Sequence, residues 1–241
     1  MGAAVSRITK AAIGKSLVQV NTIQGHSVWA PSYDAGPNPL VALEKRVLAD
    51  RLTSAEFNTF VDVGCGTGRW MHFLRQNGSH AFGMDLCREM LLQATGKLGL
   101  TGRLGLADAA RLPIADSVAD LVLCSFTFGY VRFIGRAMAE MARIARHRGR
   151  VIVSDVHPCA LASGWKRSFR SNGEIYEIAH HVHPASVWES AAESAGLMLQ
   201  WRIDARFGEA EREIFRQAGK DAAFDTLSAM PALLAMCWMK P

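Results

Sequence analysis

The sequence lacks any apolar run that approaches the roughly 18 residues needed to cross a bilayer. Cysteine is also scarce, with five in 241 residues and no C-x-x-C pair among them. Neither a disulfide framework nor a zinc site is therefore indicated, and we expect no bound metal and a reducing, cytoplasmic environment. Internal repeats and low-complexity tracts are missing as well.

The composition is that of a single globular domain. Hydrophobic residues make up 49% of the chain and charged residues 20%, which excludes a disordered protein. The net charge of +5 is mild, and the densest basic run, residues 143–150, falls at the end of a predicted helix, where cations offset the helix dipole. Nucleic acid is therefore not expected as a partner.

The most informative stretch is residues 60–74. An apolar run ends in a turn with glycine at 64, 66 and 68, and an amphipathic segment follows directly. Such a strand, loop and helix let the backbone approach a ligand closely. Asp85 closes the next apolar run, 23 positions after Asp62, where a doubly wound sheet places a carboxylate for ribose hydroxyls. The pattern indicates a nucleoside ligand.

The glycine loop differs from the dinucleotide fingerprint. Its spacing is G-x-G-x-G, whereas a pyrophosphate-binding turn needs G-x-G-x-x-G. Asp62 stands two positions before the first glycine and would repel a phosphate in a confined site. A carboxylate at this position suits a cationic or zwitterionic ligand instead.

The string Asp62-Val-Gly-Cys-Gly-Thr-Gly68, with Asp85 in register, resembles motif I of the class I S-adenosylmethionine-dependent methyltransferases. The resemblance extends over about residues 29–240 and is closest to the small-molecule branch that includes the ubiquinone/menaquinone and biotin-pathway enzymes. Segments 107–109, 111–117 and 119–123 match this branch, whereas Arg148-Gly-Arg150 departs from its usual Lys-Pro-Gly-Gly turn.

The resemblance implies S-adenosylmethionine as the cofactor and assigns roles to individual residues. Asp62 would face the amino group of the methionyl moiety, Asp85 the ribose, and Asp108 the adenine amine, unless Asp108 is only a helix N-cap. The full set of implied cofactor contacts is Asp62, Gly64, Cys65, Gly66, Asp85, Leu86, Asp108, Ala109 and Ser125.

The alternation of apolar runs and amphipathic segments predicts an α/β fold. We expect a Rossmann-like, seven-stranded, mostly parallel, doubly wound sheet, and the resemblance implies an antiparallel last strand. The predicted strands are 58–63, 80–85, 102–107, 119–125, 151–154, 197–203 and 232–239. The predicted helices are 39–52, 70–76 with a cap at 77–78, 87–97, 132–146 and 184–195.

Two segments fall outside the alternation. We expect residues 1–57 to form an N-terminal lid or helical segment, and residues 156–183 to form a substrate lid inserted in the methyltransferase domain, 58–241. Residues 1–6 also fit an N-myristoylation pattern, and 1–20 are acid-poor like a targeting peptide. Both patterns match often by accident, and neither is expected to be used.

Methyl transfer from a sulfonium requires an acceptor nucleophile about 3 Å from the methyl carbon. An acidic phenol or an amine needs positioning only, whereas an alcohol or an unactivated carbon needs a general base. His157 follows predicted strand five, and His181 and His183 precede helix 184–195, so all three are candidate bases. The alternatives are that His157 caps the turn before Pro158 and that the others are solvated loop residues.

Aromatic residues complete the predicted site. Tyr33 resembles a tyrosine that lies over the cofactor in this family, although lid packing would explain it equally well. Phe126, Phe128 and Tyr130 follow strand four, where they would hold the apolar part of a substrate or belong to the core.

We therefore expect methyl transfer to a small organic molecule with an apolar or aromatic part. One alternative is an RNA cytosine-5 methyltransferase that uses Cys159, although a second cysteine after strand four and an RNA-binding domain are missing. Another is a regulatory or assembly protein that binds the cofactor without turnover. The sequence leaves open the acceptor and the choice between a monomer and a homodimer.

Overall fold

The computed structural model describes residues 16–53, 57–74, 80–98 and 103–241. The strands are β1 (Leu17–Val20), β2 (Thr59–Val63), β3 (His80–Asp85), β4 (Leu104–Leu106), β5 (Ala119–Ser125), β6 (Ala145–Val156), β7 (Ser168–Ser171), β8 (Glu174–Ile178), β9 (Met198–Ala205) and β10 (Leu233–Met239). The helices are α1 (Thr22–Trp29), α2 (Pro39–Thr53), α3 (Arg69–Leu74), α4 (Arg88–Leu98), α5 (Ile134–Ile144), α6 (Pro158–Ala162), α7 (Ala185–Ser194), α8 (Glu209–Gln217) and α9 (Phe224–Ser228).

Seven strands form the main sheet in the order β4-β3-β2-β5-β6-β10-β9. The pairs from β4 to β6 are all parallel, and β10 runs antiparallel to both of its neighbours. The predicted fold class, including the antiparallel last strand, is confirmed. Because β2, β3 and β5 are adjacent and parallel, their carboxyl ends meet at one edge, where ligands bind in folds of this kind.

The sheet separates two apolar layers, as alternation along buried strands requires. Phe60 and Leu121 pack on one face with Leu43 of α2. Val61 and Val122 pack on the other face with the methionines of α5. Helices therefore cover both faces and leave the carboxyl edge of the parallel strands as the open side.

The strand predicted over 151–154 is longer than expected, because β6 begins at Ala145 and includes the basic segment 146–150. The amide of Arg148 donates to the carbonyl of Lys240 at 2.8 Å, and the amide of Lys240 donates to Gly149 at 3.0 Å. Backbone pairing with the chain beyond β10 thus extends the strand. Helices α8 and α9 lie in a region, 204–231, for which no element was predicted.

The N-terminal segment and the insertion after β6 form one structure. Strand β1 pairs in parallel with β8, which forms an antiparallel hairpin with β7. Short parts of the two segments that were expected to be lids therefore form a three-stranded sheet, and Asn21 starts α1 with a capping box to Gln24.

Several predictions lie outside the described residues: the N-myristoylation pattern, most of the 1–20 segment, residue 76 and the cap at 77–78. No helix in the described ranges is long and apolar enough to cross a membrane.

Candidate active site

A cavity of about 310 Å³ opens at the carboxyl edge formed by β2, β3 and β5. It is bounded by the glycine loop after β2, the turns after β3, β4 and β5, and by residues from α1 and its C-terminal extension. The predicted site residues that line it are Tyr33, Gly64, Gly66, Asp85, Leu86, Asp108, Ala109 and Ser125.

Two glycines of the loop have different reasons to be glycine. Gly64 has φ +74°, and a Cβ there would lie 2.1 Å from the hydroxyl oxygen of Thr127. Gly66 has φ +53°, but a Cβ there would meet no atom within 4 Å. Both positions favour glycine for their backbone conformation. Gly64 allows close packing of the loop on the β5 turn, whereas Gly66 keeps space open beside the cavity.

Asp85 ties the glycine loop to the turn after β3. Its carboxylate accepts hydrogen bonds from the amides of Gly66 and Cys87, each at 2.7 Å. Burial raises the pKa of Asp85, and the two amide donors oppose that shift. Each carboxylate oxygen can accept a further hydrogen bond. The group is therefore arranged to receive two ligand hydroxyls, as ribose recognition requires.

Asp62 is the least satisfied polar group near the cavity. It is 1% exposed, and neither carboxylate oxygen has a hydrogen-bond partner among the described residues. Burial raises the pKa of Asp62 to about 8, although the positive charge of Arg69 opposes the shift. Asp62 and Cys65 line a smaller cavity of about 30 Å³, which shares Gly64 and Gly66 with the main one.

An unpaired buried carboxylate is costly unless a cation meets it. The orphaned oxygens of Asp62 beside the open space at Gly66 therefore fit the amino group of a cationic ligand such as S-adenosylmethionine. No cluster of three or more possible metal ligands occurs in the described ranges.

A buried polar network lies behind the glycine loop and was not predicted from the sequence. Glu44 of α2 is fully buried and accepts hydrogen bonds from Ser125 at 2.7 Å and from the Trp70 indole at 3.2 Å. It also contacts Arg69 and Ser154. The network fixes α2, α3, β5 and β6 against one another and holds the Arg69 guanidinium near Asp62. A glutamate beside the apolar Leu43 of a predicted helix was its only sequence signal.

Asp108 lies in the turn after β4 and is exposed. Its carboxylate accepts a hydrogen bond from the Ala110 amide at 2.8 Å, and its backbone bridges to Arg111. No helix starts there, so the N-cap alternative was wrong, although the side chain does stabilise a local turn. Asp108 lines the main cavity, in keeping with the predicted adenine contact.

His157 does not line the main cavity. It is the N-cap of α6, where its Nδ1 accepts a hydrogen bond from the Cys159 amide at 3.1 Å. Nδ1 is thus unprotonated, so Nε2 carries the proton and donates to Asp204 at 2.8 Å. Both ring nitrogens are engaged, and this geometry favours the capping alternative over catalysis.

His157→Ala is expected to lower the free energy of unfolding by about 1–2 kcal/mol, because a cap and a hydrogen bond to a carboxylate are lost. Cofactor affinity and turnover should stay within twofold of wild type. Urea unfolding and steady-state kinetics check this, with the exposed His147→Ala as control. If the variant kept its stability but turned over about a hundredfold more slowly, His157 would be the base after all.

The rings of His181 and His183 lie close together, with centroids 5.9 Å apart. His183 Nε2 donates to the Val131 carbonyl at 2.8 Å, and the His181 amide donates to Gly129 at 2.7 Å. Partial burial and the charge of neighbouring His183 and Arg132 lower the pKa of His181. Neither ring lines the main cavity, but His183 lines a groove that adjoins it.

Tyr33 does line the main cavity, and burial raises its pKa to about 12, so its hydroxyl stays protonated. Phe126 and Tyr130 line the cavity too, whereas Phe128 is fully buried in the core. The exposed Cys159 does not line the cavity, which gives no support to a cysteine nucleophile.

His26 was missed by the sequence analysis, yet it is the one histidine of the described chain that lines the main cavity. Its Nδ1 is 2.8 Å from the Thr22 carbonyl, which can only accept, so Nδ1 carries the proton and Nε2 a lone pair. Burial lowers the pKa of His26, although the Thr22 hydrogen bond opposes this. The ring meets Tyr130 edge to face at 4.7 Å. The capping box at Asn21 could have predicted its helix but not its orientation.

Comparisons with known proteins agree with this geometry. Residues 61–153 match the family described as a methyltransferase domain. A malonyl-[acyl-carrier protein] O-methyltransferase from Hamiltonella defensa is 33% identical over 134 residues, 51% of this chain and 52% of that protein. A ubiquinone/menaquinone biosynthesis C-methyltransferase from Bdellovibrio bacteriovorus is 35% identical over 136 residues, 52% of this chain and 57% of that protein. The chain thus spans about half the length of the curated relatives it matches.

A solved S-adenosylmethionine-dependent methyltransferase from Mesorhizobium loti superposes with a TM-score of 0.62 at 18% identity, covering 82% of this chain and 99% of that one. At this identity the likeness shows the fold alone. The predicted resemblance to this family, whose cofactor is S-adenosylmethionine, is confirmed. Residues 61–153 therefore match a methyltransferase domain family, and the chain has the fold of the class I S-adenosylmethionine-dependent methyltransferases.

Proposed function

We propose that this protein transfers a methyl group from S-adenosylmethionine to a small organic acceptor with an apolar or aromatic part. The observation that carries the proposal is the unpaired, buried carboxylate of Asp62 beside the open space at Gly66. An anionic group would repel this carboxylate, whereas a cationic amino group would pair with it. The relatives described above are named as a malonyl-[acyl-carrier protein] O-methyltransferase and a C-methyltransferase of ubiquinone/menaquinone biosynthesis, which supports an organic acceptor of this class.

Three carboxylates in or beside the main cavity would hold the cofactor. Asp62 would pair with its amino group, Asp85 would accept from the ribose hydroxyls, and Asp108 would accept from the adenine amine. The amide-rich loop around Gly66 would lie against the methionyl part. When bound, S-adenosylmethionine supplies an electrophilic methyl group and a neutral thioether as leaving group, so no acid is required of the protein.

The acceptor side of the cavity is aromatic. Phe126 and Tyr130 offer apolar surface, and the protonated hydroxyl of Tyr33 can donate a hydrogen bond that orients the acceptor. His26 is suited to accept a proton, because its lowered pKa and fixed tautomer leave Nε2 with a free lone pair at neutral pH. We place His26 ahead of His157, His181 and His183 as the general base, for acceptors that need one.

S-adenosylmethionine and S-adenosylhomocysteine should each raise the melting temperature, whereas NAD and ATP should not. A ligand at one hundred times its Kd adds about 2.7 kcal/mol, which corresponds to about 5–10 °C for a chain of this size. Differential scanning fluorimetry measures the shift. A larger shift with NAD would contradict the proposal.

A variant of the cofactor site tests the same proposal. Asp85→Ala should weaken the binding of S-adenosylhomocysteine by about 10–100-fold, the scale of a charge-assisted hydrogen bond. Asp50→Ala, which removes an exposed carboxylate of α2, is the matched control.

Turnover with labelled cofactor across candidate acceptors separates an enzyme from a regulator, because a regulator would bind the cofactor yet form no methylated product.

A further inference from the structure

A groove of about 500 Å³ adjoins the main cavity at the start of α5. The two share Arg132, Phe133 and Arg136, so they are continuous. The main cavity, at about 310 Å³, is at the small end for a ligand site, and a cofactor would occupy much of it. Little of the main cavity would then remain for an acceptor, and the groove offers further space beyond these three residues.

Arg132 and Arg136 have no carboxylate partner in the part of the chain that the structure describes. Their guanidinium carbons lie 5.1 and 5.9 Å from the centroid of the same ring, that of Phe133, which is 60% exposed. Two like charges beside one ring repel each other, and the cation–π attraction offsets this only in part. An anion between them would relieve the repulsion.

The backbone adds to this preference. Helix α5 is eleven residues long, and its N-cap residue, Phe133, makes no side-chain capping hydrogen bond. The positive end of the helix dipole therefore faces the same region as the two arginines. An anion here would meet two guanidinium groups and an uncapped helix end.

The charges of the two regions are segregated. The carboxylates of Asp85 and Asp108 line the main cavity and Asp62 lines the small cavity beside it, whereas the groove contains arginines, a histidine and apolar residues but no carboxylate. The acidic side suits a cationic cofactor, and the basic side suits an anionic partner.

We propose that the acceptor carries a carboxylate or phosphate group, which Arg132 and Arg136 bind at the cavity mouth, while Phe133 packs against its apolar part. This inference rests on the proposed function, since it concerns the acceptor of that same site. Arg132 and Arg136 are thus specificity-determining residues. Guanidinium groups bind either anion in bidentate fashion, so the chemistry covers both.

The test uses octanoate, octyl phosphate and the uncharged isostere octanamide as probes, titrated by calorimetry into protein saturated with S-adenosylhomocysteine. Wild type should bind octanoate or octyl phosphate at least tenfold more tightly than octanamide, and the tighter of the two identifies the anion. In the double variant Arg132→Gln/Arg136→Gln the affinity for the anion should exceed that for octanamide by no more than twofold. The control Arg150→Gln replaces an exposed arginine of β6 outside both the cavity and the groove, and it should keep the wild-type ratio of the two affinities.

Equal binding of octanamide and the anions by wild type would overturn the inference, as would a preserved ratio in the double variant. A loss of S-adenosylhomocysteine affinity in the double variant would assign the arginines to the cofactor carboxylate and overturn it too. If wild type does not bind S-adenosylhomocysteine at all, the proposed function is wrong. The anion preference is then measured on the ligand-free protein, so the two failures can be distinguished.

Discussion

Asp62→Asn is expected to weaken S-adenosylhomocysteine binding by about 10²–10³-fold and, at the same time, to stabilise the ligand-free protein at neutral pH. The first effect follows because the amino group of the ligand would lose its buried ionic partner, a loss of about 3–4 kcal/mol. The second follows because the unpaired carboxylate is a burden on the free fold. The opposite signs distinguish a binding carboxylate from a structural one.

The stability of the ligand-free protein should depend on pH with a definite sign. The pKa of Asp62 is raised to about 8 in the folded protein, from an ordinary value of 3.8. Between these two values the folded state holds a proton that the unfolded state has lost, so the stability of the ligand-free protein falls as pH rises. From pH 5 to 7 this group alone lowers the free energy of unfolding by about 1.3 kcal/mol per pH unit. Asparagine does not titrate, so the variant should lose this slope.

Chemical denaturation at pH 5, 6 and 7 measures the slope, and calorimetry measures the affinity. Asp50→Asn, exposed on α2, is the isosteric control and should match wild type in both. If Asp62→Asn bound S-adenosylhomocysteine normally, the amino group would be held elsewhere. If wild type showed no difference in slope from the variant, Asp62 would already be ionised in the free protein.

The strands around the site could be predicted from sequence because local patterns determine them. The runs 80–85 and 119–125 were predicted with the bounds that the structure has, and each ends in a polar residue that lines the cavity, Asp85 and Ser125. Asp62 and Asp85 were found because they close such runs, and parallel strands place their ends at one edge. Local periodicity therefore identified the cofactor side.

The buried network around Glu44 and the three-stranded sheet could not be predicted, because both are formed by contacts between residues distant in sequence. Glu44 of α2 contacts Ser125 of β5 and Ser154 of β6, which lie 81 and 110 positions further along the chain, and no local pattern indicates that pairing. The same holds for β1, whose partner β8 lies 158 positions further along the chain. An isolated short strand carries no signal of where it will pair.

The histidines show the same limit. The position of His157 at the end of a strand was predicted, but its ring is turned away by Asp204, which lies 47 positions further along. His26 lies in a segment without strand alternation, and only the packing of α1 beside Tyr130 brings it to the cavity. A strand end fixes where a residue lies, whereas the side-chain partner fixes which way it faces.

His26→Ala is expected to slow turnover by about 10²–10⁴-fold, if the acceptor is an alcohol or an unactivated carbon, while S-adenosylhomocysteine affinity stays within twofold. Burial lowers the pKa of His26 from its ordinary 6.5, so the wild-type rate should stay level near neutral pH and fall only on the acidic side of that ordinary value, where the ring gains a proton. That acidic limb should be missing in the variant. Steady-state rates from pH 5 to 8 measure both effects.

Added imidazole should restore part of the rate of His26→Ala, because the cavity would admit a small base in place of the lost ring. A structural role would not give this rescue, and His147→Ala, exposed on β6, should show neither the loss nor the rescue. A normal turnover rate in His26→Ala would remove it from proton transfer. The acceptor would then have to be a nucleophile that is already reactive at neutral pH, such as an acidic phenol or an amine, and positioning by Tyr33 and the aromatic wall would account for the rate.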